Sequence, residues 1–375
     1  MRILSTGDWH FNSGYDADVE SSVRQIINYV KENHVDLIAN TGDVYERASE
    51  PGSRNLAADL LREMAEWAPI LIVRGNHDAP GDLDIFSKIR SKHNIQVHST
   101  PGFIPIEGYG IHTLPWLTKA RWQSLHPDAS KEEGDKTVSQ LLLEYLKTNV
   151  ALRSDCKKHI LIGHCLIAGA KAQNHQQMGA DGVTLGQYDL EEMGFVAAFL
   201  GHIHLKQWIG NSCRYYYRYY YNGSIAALEY GETPDKYFSV FDTNSLTPDF
   251  IKLNTIHRQD IEAEWTPEGI SIINEFPDSL ISGARIRANL RIQGGDNIDQ
   301  AKKQLEEWLE SHKALEYTIS PQVIPVSKIR AVEITSAQTL HDKLRMHWKA
   351  TNTEPEEDVK NRMLEMLSEI EDLGI

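Results

Sequence analysis

Five short segments carry side chains that suit a divalent cation: Gly7-Asp8-Trp9-His10, Gly42-Asp43, Gly75-Asn76-His77-Asp78, Gly163-His164 and Gly201-His202-Ile203-His204. Each closes an apolar run that reads as a strand, over 2–6, 35–41, 69–74, 159–162 and 196–200. In open α/β sheets functional groups gather just beyond the carboxyl ends of the strands. Five such ends predict one convergent pocket. Asp8, His10, Asp43, Asn76, His164, His202 and His204 would bring oxygen and imidazole donors to it. One tetrahedral zinc takes about four ligands, so this set suits two metals sharing a bridging carboxylate. No cysteine is among them, which favours Mn²⁺, with Mg²⁺ or Fe²⁺ as alternatives, over structural zinc. Metals paired roughly 3.5–4 Å apart activate a water and clamp an in-line phosphoryl displacement.

Taken singly, each residue has a plainer reading. A histidine after a buried strand is often a packing residue, and Asp8 or Asp43 alone could cap a helix. A glycine precedes the ligand in all five segments. Glycine permits close backbone approach or positive φ, and its recurrence argues for a built site.

The elements that must position these groups are legible from periodicity. Residues 1–255 alternate strands and helices. Val19, Val23, Ile26, Ile27 and Val30 form one helical stripe, and Leu56, Leu60, Leu61 and Met64 another. After His204 the texture becomes all-β, over 214–221, 237–241 and 250–253. The run Arg214 to Tyr221, six tyrosines between and beyond two arginines, could stack on bases, but tyrosine is also a strong strand former, and the strand reading is preferred. A second unit, residues 256–325, shows Ile286, Ala288, Leu290 and Ile292 alternating with Arg285, Arg287 and Arg291. A helix follows from Asn297, with Ile298, Ala301, Leu305, Trp308 and Leu309 as its expected buried stripe, and then a strand over 315–319. The arginine face is either a phosphate-contacting row or a solvated, salt-bridged surface. Residues 326–375 form a helical segment. Leu340, Leu344 and Trp348 mark one amphipathic helix, and Thr353 to Glu356 reads as a capping box opening the next. That helix presents Val359, Met363, Met366, Leu367 and Ile370 on one side. The stripe either folds back on its own domain or meets a partner, and the adaptable methionines favour a partner.

The ordered set D-x-H, G-D, G-N-H-D, G-H and G-H-x-H resembles that of the calcineurin-like metallophosphoesterases. Within them the chain is similar to the SbcD-type nucleases of double-strand-break repair. The opening MRILSTGDWHFN, the segment YYYNGSIAALEYGE over 219–232 and the β-α-β unit carry that likeness. The resemblance implies a β-sandwich flanked by helices, with a small β-α-β cap and a helical C-terminal segment. It implies that Asp8, His10 and His204 hold one metal, that Asn76, His164 and His202 hold the other, and that Asp43 bridges them. His77 would be the catalytic residue, stabilising the transition state and helping the leaving oxygen take a proton. Asp78 would orient a neighbour through hydrogen bonds. The implied activity is two-metal DNA cleavage, 3′–5′ on duplex ends and endonucleolytic on single strands. The implied partners are DNA, an SbcC-like SMC-type ATPase gripping the C-terminal helix, and a second copy in a homodimer. In one departure, Glu46 stands where many relatives carry a histidine.

Composition bounds the function further. The 375 residues carry a net charge of −15, whereas unaided DNA binding usually needs a basic face. This favours a local patch, a dimer cleft or a partner as the DNA-holding element. Three cysteines without CxxC spacing suggest a reduced, cytoplasmic setting in a bacterial or phage-infected cell. No signal peptide is expected, and no apolar run approaches the ~20 residues that span a bilayer. A stand-alone phosphatase or small-substrate phosphodiesterase is the alternative enzyme. A non-catalytic module is disfavoured, since all seven ligands and His77 are present.

Overall fold

A computed structural model describes residues 1–125, 137–153, 155–172, 176, 183–186, 188–209, 218–232, 235–274, 280–325, 339–351 and 353–372. Two six-stranded sheets face each other. In the first, Arg2–Thr6 lies between Lys236–Asp242, which is antiparallel to it, and the parallel Leu37–Asn40. Ile70–Val73 and Ile95–His98 extend that parallel run. In the second, Phe195–Gly201 runs parallel to both Lys158–His164 and Arg218–Tyr221, and Tyr109–Leu114 continues beside Lys158–His164. Ile3, Leu37, Ala39, Leu71 and Val73 of the first sheet meet Ile111, Ile160, Ile162, Ala197 and Phe199 of the second in one buried layer. These strands are buried on both faces, which explains why they read as continuous apolar runs.

Helices cover the outer faces. Asp16–Glu32 buries all five of its predicted stripe residues against the first sheet. Pro51–Met64 buries Leu60, Leu61 and Met64, while Leu56 is only partly covered. Val138–Leu152 opens with a complete capping box, Thr137 with Gln140, and packs on the second sheet. The result is a β-sandwich flanked by helices. Of the tyrosine run, Arg218–Tyr221 is a strand with Tyr219, Tyr220 and Tyr221 buried; residues 214–217 lie outside the described residues.

A four-stranded sheet follows, in which Arg258–Thr266, Arg285–Gln293 and Glu316–Ile324 run parallel and Gly269–Ile272 is antiparallel at one edge. The helix Ile298–Ser311, capped by the Asn297 side chain, closes the β-α-β unit and buries Ala301, Leu305 and Leu309. Ile298 is 37% exposed, contrary to the expected stripe: it is the first helical residue, one turn short of the sheet-facing series 301, 305, 309. Two arginines of this unit reach back to the first helix. Arg258 Nη2 donates to Asp18 Oδ2 at 2.9 Å, and Arg285 Nη2 lies 3.2 Å from Asp18 Oδ1.

The helices Leu340–Thr351 and Glu357–Asp372 pack together. The second begins at Glu357 rather than directly after a Thr353 cap, and the Thr353 hydroxyl lies 2.6 Å from that of Thr351. Met363, Met366 and Leu367 join Leu340, Leu344 and His347 around an apolar groove of about 520 Å³. Val359, Met363 and Met366 are 47%, 39% and 53% exposed; the side chain of Ile370 lies outside the described residues. No described helix is long and apolar enough to cross a membrane.

Candidate metal centre

All five predicted strand ends deliver their side chains to one place. Asp8, His10, Asp43, His164 and His202 are buried, and they share a site with Asn76 and His204. Ligand atoms of Asp8, His10 and His204 lie within 4.8 Å of one another, and so do those of Asp43, His164 and His202. Asn76 joins the second group, with its Oδ1 2.8 Å from both His164 Nε2 and His202 Nδ1. Asp43 Oδ2 stands between the groups, 3.3 Å from His164 Nε2 and 3.7 Å from His10 Nε2.

The backbone accepts strain to achieve this. Asp8, His10 and Asp43 have φ near +50° to +55°, and His202 has φ +97°. Non-glycine residues rarely adopt such angles, and strained residues of this kind cluster at functional sites. The glycines do a different job. A Cβ on Gly75 would fall 2.0 Å from Asp43 Oδ1, and one on Gly42 (φ +101°) 2.7 Å from His164 Nδ1. They let two loops touch. Gly163 is the exception, since a Cβ there would meet nothing closer than 3.6 Å.

A set of hydrogen bonds holds the loops in register. Asp78 Oδ2 accepts from the amides of Asp43 (3.0 Å) and Gly75 (2.8 Å), and Oδ1 from Tyr45 (3.0 Å). Asp8 Oδ1 accepts from the His202 amide at 2.8 Å, and Asp43 Oδ1 from the His77 amide at 2.9 Å. His164 Nδ1 donates to the Thr41 carbonyl at 2.8 Å, which leaves Nε2 as the nitrogen facing Asn76 Oδ1 at 2.8 Å and Asp43 Oδ2 at 3.3 Å. Whatever sits between that nitrogen and the two oxygens carries positive charge, either a proton or a metal ion. The buried His10 Nε2 and His202 Nε2, by contrast, have no hydrogen-bond partner.

Charge in the centre is unevenly shared. Burial pushes Asp8 up to about 6, with Asp43 adding to the effect. Burial and Asp43 also raise Asp78 to about 6. Asp43 goes the other way: burial opposes its charge, but His164, His10 and His77 hold it well below the usual carboxylate range. Burial works against a charged His164 too, yet Asp43 draws it up to about 9. Burial pushes His202 down to about 3 and His204 well below its usual value, assisted by neighbouring positive rings. Both are therefore neutral, the form in which imidazole ligates a metal. Crowded carboxylates, neutral imidazoles and orphaned lone pairs fit divalent metal ions.

The site opens into a cavity of about 360 Å³ lined by His77, Trp116, Tyr15, Glu46, Gln176, Glu229 and Glu232 alongside the ligand set. His77 is part-buried, and its Nδ1 donates to the Glu46 carbonyl at 2.7 Å. Sequence reasoning did not find Gln176, whose side chain bonds the His202 carbonyl and the His204 amide. Nor did it find Trp116, whose ring lies 4.7 Å from that of His202. Neither carries a motif that could have marked it. The arginine row stands on the face of its sheet opposite the buried Ile286, Ala288, Leu290 and Ile292. There Arg287 makes a two-pronged bond to Asp260 (2.6 and 2.9 Å), Arg291 pairs with Glu262 (3.2 Å) and Arg285 with Asp18 and Glu316.

A sandwich whose strand ends bring two groups of metal-ligating residues together defines a phosphoesterase of the metal-dependent class. The family model of the calcineurin-like phosphoesterases matches residues 1–206, and the chain belongs to that family. It is similar to the SbcD component of the SbcCD nuclease of Bacillus subtilis (strain 168), at 25% identity over 256 residues, 62% of this chain and 63% of that protein. The SbcD nuclease component of Staphylococcus saprophyticus is 23% identical over 70% of this chain and 71% of its own length. That of Escherichia coli (strain K12) is 24% identical over 50% and 55%. The chain thus spans less than two thirds of the Bacillus and Escherichia relatives. The solved structure of TT1561 of Thermus thermophilus aligns at 15% identity with a TM-score of 0.43, over 68% of this chain and 99% of that one.

Proposed function

We propose that the chain is a two-metal DNA nuclease that works with an SbcC-like SMC-type ATPase. The observation that carries this reading is the meeting of the seven donors at one centre, which opens beside His77 into a single cavity, in a chain whose relatives are named nuclease subunits. Asp8, His10 and His204 would hold one metal and Asn76, His164 and His202 the other, with Asp43 between them. Oxygen and nitrogen donors without thiolate favour Mn²⁺. When bound, such a pair supplies an activated water and a charge clamp on the phosphate.

The protein's own groups do the rest. Asp78 fixes the 43–45 and 75–78 loops against each other, so the bridging carboxylate and the Asn76 ligand keep their spacing. The Glu46 carbonyl takes the Nδ1 proton of His77, which assigns Nε2 to the reaction. As the imidazolium, His77 would give its Nε2 proton to the leaving oxygen and keep its Nδ1 proton on the Glu46 carbonyl. Trp116 and Leu228 add apolar surface to the cavity lining. The exposed face of the Glu357–Asp372 helix would receive the ATPase. DNA would be held by that partner or by a homodimer cleft, since the arginine row is already paired with carboxylates.

A second reading, hydrolysis of a small phosphodiester, is favoured by the cavity wall itself. Glu46, Glu229 and Glu232 line it, and no lysine or arginine does so among the described residues. Mn²⁺-dependent hydrolysis of linear duplex DNA, single-stranded circles and bis-p-nitrophenyl phosphate separates the two. The nuclease reading expects cleavage of DNA. Hydrolysis of the small ester alone, with DNA untouched even when a cognate ATPase is added, would overturn it.

A further inference from the structure

Glu46 is a carboxylate at this centre outside the seven-donor set, and it touches two histidines in two different ways. Its side-chain Oε2 lies 2.7 Å from His10 Nδ1. Its backbone carbonyl accepts from His77 Nδ1 at 2.7 Å, while Oε1 stays 3.7 Å from the same nitrogen. The two rings meet edge to face with centroids 4.9 Å apart. A carbonyl oxygen can only accept, so the proton of a singly protonated His77 is on Nδ1, and the charge of the Glu46 carboxylate 2.7 Å away favours an Nδ1 proton on His10 as well. His10 then keeps its lone pair on Nε2, the nitrogen 3.7 Å from Asp43 Oδ2. The contact to His10 is short but off the direction of a well-formed hydrogen bond, since Nδ1 finds no aligned partner.

We propose that Glu46 is a positioning residue for the metal centre. Its carboxylate fixes the tautomer and donor strength of His10, and its peptide carbonyl fixes the tautomer of His77. A carboxylate behind a ligating histidine raises the basicity of the ligand, and its removal typically costs roughly 10–100-fold in metal affinity. The carbonyl contact survives substitution of the side chain, so the two roles can be separated. The inference rests on the two-metal reading above, but its tautomer component does not require metal.

The test uses the full chain in three forms: wild type, Glu46→Gln and Glu46→Ala. Imidazole ¹⁵N spectra of the metal-free proteins report the His10 and His77 tautomers, calorimetric Mn²⁺ titration reports both affinities, and thermal melting reports folding. Glu46→Ala is expected to lose the Nδ1–H preference of His10 and keep that of His77. It is also expected to bind one Mn²⁺ about 10–100-fold more weakly, with the other affinity and the metal-free melting temperature unchanged. Glu46→Gln, which still offers an acceptor oxygen, should retain the His10 tautomer and lose less affinity. Unchanged His10 tautomer and unchanged affinities in Glu46→Ala would overturn the proposal, as would equal weakening of both metals. Wild-type protein that binds no Mn²⁺ would sink the two-metal reading instead, and the tautomer comparison would still decide the role of Glu46.

Discussion

Asp18→Ala tests how the β-α-β unit is fastened to the phosphoesterase body. Asp18 lies on the helix Asp16–Glu32, its side chain 3% exposed, and accepts from Arg258 at 2.9 Å with Arg285 3.2 Å away. Removing one partner of a buried ion pair costs about 3–5 kcal/mol, because a charge is left buried without its counterion. Arg258 keeps other contacts: Nε donates to the Ala227 carbonyl at 3.0 Å, and its guanidinium lies 4.7 Å from the Tyr15 ring. Arg285 is more exposed and keeps Glu316. These residual contacts bring the expected loss down to about 3 kcal/mol, on the order of a hundredfold in the folding equilibrium. Asp18→Asn keeps the shape and one acceptor, and should cost about half as much. Denaturant unfolding of the metal-free chain measures the loss. A double-mutant cycle with Arg258→Met apportions it, since an apolar replacement no longer needs the carboxylate. If Asp18→Ala unfolds within about 0.5 kcal/mol of wild type, the range of ordinary surface substitutions, the buried pair is not what fastens the two units. Ala227 adjoins Leu228 in the cavity wall, so the same variant should also raise KM more than it lowers kcat.

Two other perturbations follow from the same physics. His112 is fully buried beside His159, and burial, then the neighbouring His159 and Arg153, push it down to about 4. Its folded value lies below its unfolded value of about 6.5, so the unfolded chain takes up the extra proton, and stability falls as pH drops from 6.5 toward 4. His112→Phe should remove about 1–2 kcal/mol of the stability difference between pH 7 and pH 5; denaturation curves with the same pH dependence as wild type would refute this. Deleting residues 353–375 should leave hydrolysis of bis-p-nitrophenyl phosphate intact and abolish co-purification with an SbcC-like ATPase, and unfolding of the truncated protein would show that the helix belongs to the core.

Much of the centre was legible because its chemistry is written into local motifs. Asp8 and His10, or His202 and His204, sit two apart at the end of one strand, and the apolar run before each pair needs no tertiary information to be read as a buried strand. What was not legible depends on contacts between distant loops. Gln176 meets His202 and His204 from a segment without periodicity, and Glu46 meets His10 across thirty-six positions. The arginine alternation was plain, but its partners were not. Asp260 opposes Arg287 only through the parallel register of Arg258–Thr266 with Arg285–Gln293. Glycine was informative for a partly different reason than expected, since the positive φ angles fall mainly on the ligands themselves.

The most direct test of the account counts bound Mn²⁺ and measures hydrolysis on the same samples of wild type and His77→Ala. His77 lies against the cavity but outside the donor set, so the variant should bind two equivalents, as wild type does, while losing roughly 10²–10⁴-fold in rate, the range of a general acid. Full activity in His77→Ala, or fewer than two metals in the wild-type chain, would contradict it.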